Sequence, residues 1–257
     1  MRAIVIGAGR GSRLQHKTDE IPKTLVPVMG RPMLEWILEA LAEAGFARQD
    51  VVFIAGYRAE VVRARYPELT YVINSSWEQN NILGSLMCAR EHLSGGFVAS
   101  YADIIYDGPA ATRVATSPHD LCLGCDTDWR RRYLDRSQHP ETDAEKLRAE
   151  GTRVVQLSRT LDSEQASGEF IGVMKASAAG ADRLTRAYDE AAARFAGGPY
   201  REGRSFERAY LLDLLADMLE QGVEMHRADT HGAYMEIDTL EDHACAERWW
   251  QGRTAAP

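Results

Sequence analysis

Arg10, Ser12, Arg13 and Lys23 lie in or just after a run of small residues, Gly7-Ala8-Gly9-Arg10-Gly11-Ser12-Arg13-Leu14, which follows a short apolar stretch, Ala3-Ile4-Val5-Ile6. A strand that empties into such a turn offers backbone N–H groups to phosphate oxygens, and the nearby cations cancel phosphate charge. Two carboxylates stand where strands should end. Asp103 follows Phe97–Tyr101, and Asp238 sits in Tyr234-Met235-Glu236-Ile237-Asp238-Thr239. Carboxylates at that edge of an open α/β sheet suit a hard divalent cation bound among phosphates. The plain alternatives are a turn residue for Asp103 and a helix N-cap for Asp238.

The common phosphate loops do not fit. A P-loop would close on Gly-Lys-Ser/Thr, and Gly11-Ser12-Arg13 does not supply it. A dinucleotide fingerprint spaces its third glycine one residue later and needs an acid after the second strand, where this chain has Gly56-Tyr57. That disfavours an NAD-dependent oxidoreductase.

Across GAGRGSRL and the following PKTLVPVMGRPMLEW, the sequence resembles the nucleotidyltransferases that condense a nucleoside triphosphate with a phosphorylated small molecule, the sugar-1-phosphate nucleotidylyltransferases and their relatives. Further blocks are similar to the phosphocholine and 2-aminoethylphosphonate cytidylyltransferase branch. They are Asn80-Asn81-Ile82 with Ser85-Leu86, Asp128-Trp129 with Tyr133, Asp143-Ala144-Glu145-Lys146, Gly168-Glu169-Phe170-Ile171-Gly172 and Glu236-Ile237-Asp238-Thr239 with Glu241-Asp242.

The resemblance implies a Rossmann-like α/β fold of the nucleotide-diphospho-sugar transferase type. It also implies CTP as nucleotide, Mg2+ as cofactor and a phosphate or phosphonate acceptor. Lys23 would contact the α-phosphate and the acceptor phosphate, and Arg13 the leaving pyrophosphate. Asp103 and Asp238 would hold the metal. Ala8, Gly9, Arg10, Gly11, Ser12, Arg13, Lys23, Asn80, Asn81 and Ser85 would bind the nucleotide, although N-capping is an equally natural role for Asn80 or Asn81.

The chemistry agrees. The triphosphate and its acceptor carry roughly four and two negative charges, and their repulsion must be removed before attack at the α-phosphorus.

The acceptor is less determined. A quaternary ammonium would want an aromatic cage, with Trp129, Tyr133 and Tyr234 as walls. A primary ammonium would want carboxylates, with Glu169 and Glu236 as candidates. Arg130, Arg131, Arg132 and Arg136 could fork onto an extra carboxylate, and Lys146 belongs to the same candidate region. Residues 126–150, however, mix six basic with seven acidic residues, so most of them read as a solvated face. A sugar-1-phosphate or inositol-phosphate nucleotidylyltransferase is the second reading. A catalytically idle nucleotide-binding regulatory protein is one of another class.

Composition sets the frame. The chain has 257 residues, 45% hydrophobic and 26% charged, with net charge −8. That balance argues against nucleic acid or an anionic membrane as partner, yet residues 1–31 alone carry six basic and two acidic residues, +4, where phosphates would bind. No run of eighteen apolar residues and no signal-peptide pattern is present, which leads us to expect a cytoplasmic location. Cys122-Leu123-Gly124-Cys125 lacks a second ligand pair, so buried free thiols are expected. The seven histidines show no metal-ligand spacing. Trp249-Trp250 would anchor the last helix on the core or in a homodimer contact.

To position these groups the pattern alternates strands and helices. Strands are expected at 51–55, 70–73, 97–100, 121–124, 153–157 and 170–175, and near 223–228 and 233–237. Helices are expected along Leu34–Leu41, Ile82–Leu93, 178–195 and 205–220, with a last one to Trp250. This predicts a single domain over 1–257 with a mainly parallel mixed sheet covered on both faces. A small β-containing insertion or lid at about 126–177 would bind the acceptor.

Overall fold

The structure is a computed structural model that describes residues 1–134 and 136–254, with side chains to residue 249. Strand β1 (Arg2–Gly7) lies inside the sheet, and its apolar run is unbroken because both faces are covered: Ala3 and Val5 enter one core, Ile4 and Ile6 the other. A small ribbon, β2 (Pro27–Val28) and β3 (Arg31–Pro32), leads into α1 (Met33–Glu43). Then come β4 (Val51–Ala55), α2 (Ala59–Arg65), β5 (Thr70–Ile73), α3 (Ile82–Cys88), β6 (Phe97–Tyr101), β7 (Ile104–Tyr106), α4 (Gly108–Ala115) and β8 (Leu121–Asp126). The remaining elements are β9 (Lys146–Glu150), β10 (Arg153–Leu157), β11 (Gly168–Ala176), α5 (Ala178–Phe195), α6 (Leu211–Glu220), β12 (His226–Thr230), β13 (Tyr234–Glu236) and α7 (Leu240–Thr254).

Nine strands form one mixed sheet in the order β5-β4-β1-β6-β11-β8-β12-β10-β9. The first four are mutually parallel, and β11 runs antiparallel to both β6 and β8. Strands β9 and β10 are hydrogen-bonded into this sheet, and β9 returns to pair with the start of β11. The β-containing stretch of residues 126–177 therefore continues the sheet and closes its end. Leu34, Ile37 and Leu41 of α1 cover one face, while Leu83 and Leu86 of α3 and Leu184 of α5 cover the other. Burying a leucine of this kind contributes about 1.5–3 kcal/mol, so the layers are held mainly by apolar burial.

Some elements differ from the sequence pattern. The helix expected to run through Leu93 leaves α-geometry after Cys88 and tightens into a 3-10 turn at Arg90–His92. Helix α6 starts at Leu211 rather than 205, because the Asp213 carboxylate accepts from the Tyr210 N–H at 2.8 Å and fixes the N-terminus there. Helix α4 is additional to the expected pattern; Asp107 caps it by accepting from Ala110 N–H at 2.9 Å, and a proline sits in its first turn. Cys122 and Cys125 are buried free thiols on β8. Trp249 packs on the cluster of Ile105, Met235 and Ile237, and the Trp250 side chain lies outside the described residues. Among the described residues no helix is long and apolar enough to cross a membrane.

Candidate active site

The parallel register aligns Gly7, Ala55 and the end of β6 along one edge, and the glycine-rich turn leaves β1 there. Gly11 holds φ at 72°. A Cβ on it would stand 2.6 Å from Cδ of Lys23, so glycine is what lets the lysine stem pass beneath the turn. Lys23 opens a 3-10 turn, Lys23–Leu25, right after Pro22. Its side chain is only 9% exposed, so the ammonium is aimed inward.

The acids arrive by a second device. Strands β7 and β13 pair antiparallel with Glu236 opposite Ile104, and the Ile237 N–H donates to the Asp103 carbonyl at 2.9 Å. Asp103 and Asp238, 135 positions apart in sequence, thus become near neighbours at one end of this ribbon. Asp238 is not the N-cap of α7. Thr239 and Asp242 form a reciprocal capping pair, Asp242 N–H to Thr239 Oγ1 at 3.1 Å and Thr239 N–H to Asp242 Oδ2 at 2.8 Å. The Asp238 carboxylate is left for the site.

Lys23 Nζ donates to Asp103 Oδ2 at 2.9 Å and also to Asp238 Oδ1, while Arg13 bonds the other Asp238 oxygen. Burial opposes the lysine charge, but Asp103 and Asp238 outweigh it and hold the ammonium above its ordinary value. Burial likewise works against Asp238, yet Lys23 and Arg13 keep its carboxyl below the usual range. Asp103 Oδ1 is buried and has no hydrogen-bond partner among the described residues. Two carboxylates converging on one cation, with a buried oxygen still unfilled, are a donor set that fits a hard divalent ion.

Two cavities meet at this cluster. The first, about 280 Å3, is lined by the turn residues Ala8, Gly9, Gly11 and Ser12, by Arg13 and Lys23, and by Asn80, Asn81 and Ser85 across from them. Arg10 does not line it: its guanidinium pairs with Asp19 at 2.9 Å and lies 5.6 Å from the Tyr57 ring. The basic excess of residues 1–31 does not all gather here either. Arg2 stands at the opposite end of β1, a strand of about 20 Å at 3.3 Å per residue, and Arg31 pairs with Glu39 at 2.6 Å. Asn81 caps α3 with its side chain, accepting from the Ile82 N–H at 2.8 Å.

Asn80 exchanges two amide hydrogen bonds with Asn74, at 2.9 and 3.1 Å, and Asn74 also donates to Ser85 Oγ at 2.9 Å. Buried Asn74, which sequence reasoning passed over, thereby orients both residues. Trp77 adds an aromatic wall and meets Tyr57 edge-on at 5.6 Å.

The second cavity, about 460 Å3, shares Arg13, Asp103 and Asp238 with the first. Of the expected acceptor residues, Glu169, Tyr234 and Glu236 line it. Trp129, Tyr133, Arg136 and Lys146 do not. Trp129 and Tyr133 pack edge-on against each other in a buried cluster with Ala144, and the Tyr133 hydroxyl donates to Glu169 at 2.6 Å. Arg136 is buried behind the wall, donating to the Glu236 carbonyl at 3.0 Å and lying 3.2 Å from Asp242. Lys146 opens on a different cavity, because it follows Glu145 in extended chain and successive side chains point to opposite sides.

Nor are the arginines of 130–136 simply a solvated face. Arg132 is buried against Asp126 and Glu169 and lies 4.5 Å from the Tyr234 ring, so that ring already has its cation. The lining residues missed from sequence are Tyr101, His139, Asp143, Glu145, Arg159 and Tyr210. The Asp143–Lys146 block pointed near them, while Arg159 sits in a turn and Tyr210 at the N-cap of α6, neither with a local signal for the site.

Buried charge sets the tone of this cavity. Burial, reinforced by Asp238 and Asp103, raises the Glu236 carboxyl well above its ordinary value. Burial also pushes Glu145 up to about 8 against the opposing pull of Arg159 and the Tyr101 hydroxyl. Histidine spacing in the sequence showed no metal group, yet folding places ligand atoms of His139, Glu236 and Asp238 within 4.8 Å of one another, and likewise His119, Glu224 and His226.

Comparison with known proteins agrees with this architecture. The chain is 23% identical over 252 residues to a CTP:phosphoglutamine cytidylyltransferase of Campylobacter jejuni, covering 94% of this chain and 97% of that one. It is 36% identical over 97 residues to a 2-aminoethylphosphonate cytidylyltransferase of Lancefieldella rimae, an alignment spanning 37% of this chain and 39% of that enzyme. The solved CTP:phosphocholine cytidylyltransferase of Streptococcus pneumoniae shares the fold, with a TM-score of 0.71 and 21% identity over 96% of this chain and 97% of that chain. The MobA-like NTP transferase domain matches residues 3–131, half of the sequence, and the chain belongs to that family of nucleotidyltransferases.

Proposed function

We propose that the protein is a metal-dependent cytidylyltransferase that joins CTP to a phosphate or phosphonate acceptor. The observation that carries this reading is the meeting of two cavities at Arg13, Asp103 and Asp238, with Lys23 bonded to both acids. In this reading the first holds the nucleotide over the glycine-rich turn and the second holds the acceptor. The names of the full-length relative and of the aminoethylphosphonate relative support CTP and an amine-bearing acceptor.

An acceptor oxygen attacks the α-phosphorus of CTP, the bond from the α-phosphorus to the bridging oxygen breaks, and pyrophosphate leaves with the electron pair. The nucleophile is already an anion, so no side-chain base is needed. Two unit charges 4 Å apart at an effective dielectric of 20 cost about 4 kcal/mol, so the approach needs fixed cations. Lys23, buried and charged, turns from its carboxylates toward the α-phosphate and acceptor oxygens, and one such donor contributes about 10²–10³ in rate. Arg13, half-exposed at the mouth, meets the β- and γ-phosphates. Asp103 and Asp238 would hold Mg2+, which when bound neutralises phosphate charge and orients the triphosphate.

A sugar- or inositol-phosphate acceptor is less well supported, because Glu145 in the second cavity has no cation within ion-pair distance among the described residues and a polyol would bring none. The test is pyrophosphate release with each of the four nucleoside triphosphates and Mg2+ against a panel of phosphocholine, aminophosphonates, phosphorylated amino acids and sugar phosphates. Release with CTP and an amine-bearing acceptor is expected; release with UTP or GTP but not CTP overturns the base assignment.

A further inference from the structure

Several acids of the second cavity already have a protein cation. Asp103 and Asp238 have Lys23, Glu169 has Arg132, and Asp143 has Arg159 at 3.2 Å. Glu236 has only the His139 imidazole, at 3.4 Å, and Glu145 has less: its hydrogen bond comes from the neutral Tyr101 hydroxyl at 3.2 Å, and among the described residues no cation lies within ion-pair distance of it. Arg159 is its complement. The guanidinium lies 4.9 Å from the Tyr210 ring centre and is braced from one side by Asp143, while its Nε is buried without a hydrogen-bond partner among the described residues. Both residues line the acceptor cavity, and Arg159 is the main opposite charge acting on Glu145. One cavity thus offers an under-neutralised carboxyl and an under-used guanidinium.

Resting on the cytidylyltransferase reading, we infer that the acceptor is zwitterionic away from its phosphorus, an α-amino acid whose ammonium lies on Glu145 and whose carboxylate lies on Arg159. An ammonium alone would meet Glu145 but also Arg159, whose bond to Asp143 leaves its Nε unused; a carboxylate alone would face Glu145. An amino-acid head satisfies both, because it carries the two opposite charges that these two side chains of one cavity call for. A quaternary ammonium fits less well: Trp129 and Tyr133 are packed away from the cavity, and Arg132 already lies over the Tyr234 ring. The raised carboxyl of Glu145 agrees with a group awaiting a ligand cation.

The test measures kcat/KM for pyrophosphate release from CTP and Mg2+ with matched acceptors. Phosphonoalanine is compared with aminoethylphosphonate and phosphonopropionate, phosphoserine with phosphoethanolamine, and phosphoglutamine is included. The amino-acid members should be favoured by at least about tenfold, the scale expected when a buried charged partner is left unpaired. Arg159→Gln should collapse that ratio mainly through KM, and Arg159→Lys should restore part of it; circular dichroism and CTP affinity report whether each variant is folded. Equal turnover of the carboxylate-free or amine-free acceptors, or a preference that survives Arg159→Gln, overturns the inference and leaves the CTP reading standing. Absence of pyrophosphate from CTP with every acceptor overturns both.

Discussion

Lys23 Nζ lies 2.9 Å from Asp103 Oδ2 and bonds Asp238 as well, so one buried ammonium ties the end of β6 to the approach to α7. The same cation that holds the ligand-free site together is the one proposed to meet the phosphates. Replacing it should therefore affect both catalysis and stability.

Lys23→Met should lower kcat by about 10²-fold or more. It should also destabilise the fold by about 3–5 kcal/mol, because two carboxylates lose their shared partner. A divalent ion can take the vacated place, so Mg2+ should raise the Tm of the variant by more than that of the wild type. Calorimetry with and without Mg2+ checks this; wild-type turnover would remove Lys23 from the mechanism.

Asp103→Asn and Asp238→Asn should each remove about 10²-fold or more of the activity and weaken its dependence on Mg2+ concentration. Asp238→Asn should be the more destabilising of the two, since it also releases Arg13. Steady-state rates across a Mg2+ titration decide the matter; an unchanged titration curve in both variants would place the metal elsewhere.

Asn74→Ala should leave Asn80 and Ser85 without the amide that orients them. The expected outcome is a KM for CTP raised by about tenfold and a stability loss of about 1–2 kcal/mol, the scale of lost buried hydrogen bonds. Unchanged selectivity and KM across CTP and UTP would show that this wall does not read the base.

Glu145 has a folded-state value of about 8 against an ordinary 4.5, so the native state holds the proton more tightly than the unfolded chain does. The sign follows from proton linkage: between pH 4.5 and 8 the unfolded state binds fewer protons, and wild-type stability falls as pH rises. Glu145→Gln removes that loss. The Tm of the variant relative to wild type should climb from pH 5 to pH 8 (a range set by about those two values), and a constant difference would contradict the burial of an ionisable group there.

Much of the framework was legible because it rests on local signals. The strands Val51–Ala55, Thr70–Ile73 and Arg153–Leu157 and the helix Ala178–Phe195 have the bounds read from periodicity. The nearness of Asp103 to Asp238 could be expected from strand-end positions, but the ribbon that produces it could not. Ile104–Tyr106 is only three residues long, and its partner lies far along the chain. The wall of the second cavity was the least readable part. Trp129 and Tyr133 look like a cage in sequence, yet apolar burial takes their rings into a core cluster. Arg159 becomes a wall residue only because β10 ends just before it at Leu157. Side-chain alternation also separates Glu145 from Lys146, a distinction that composition does not carry.

The most direct measurement follows the fate of a label on the α-phosphorus of CTP in the presence of Mg2+ and an amino-acid phosphonate. The account predicts unlabelled pyrophosphate and an equal amount of labelled cytidylyl conjugate, with the other three nucleoside triphosphates giving little product. Labelled CMP with no conjugate, or transfer from UTP, GTP or ATP in preference to CTP, would contradict it.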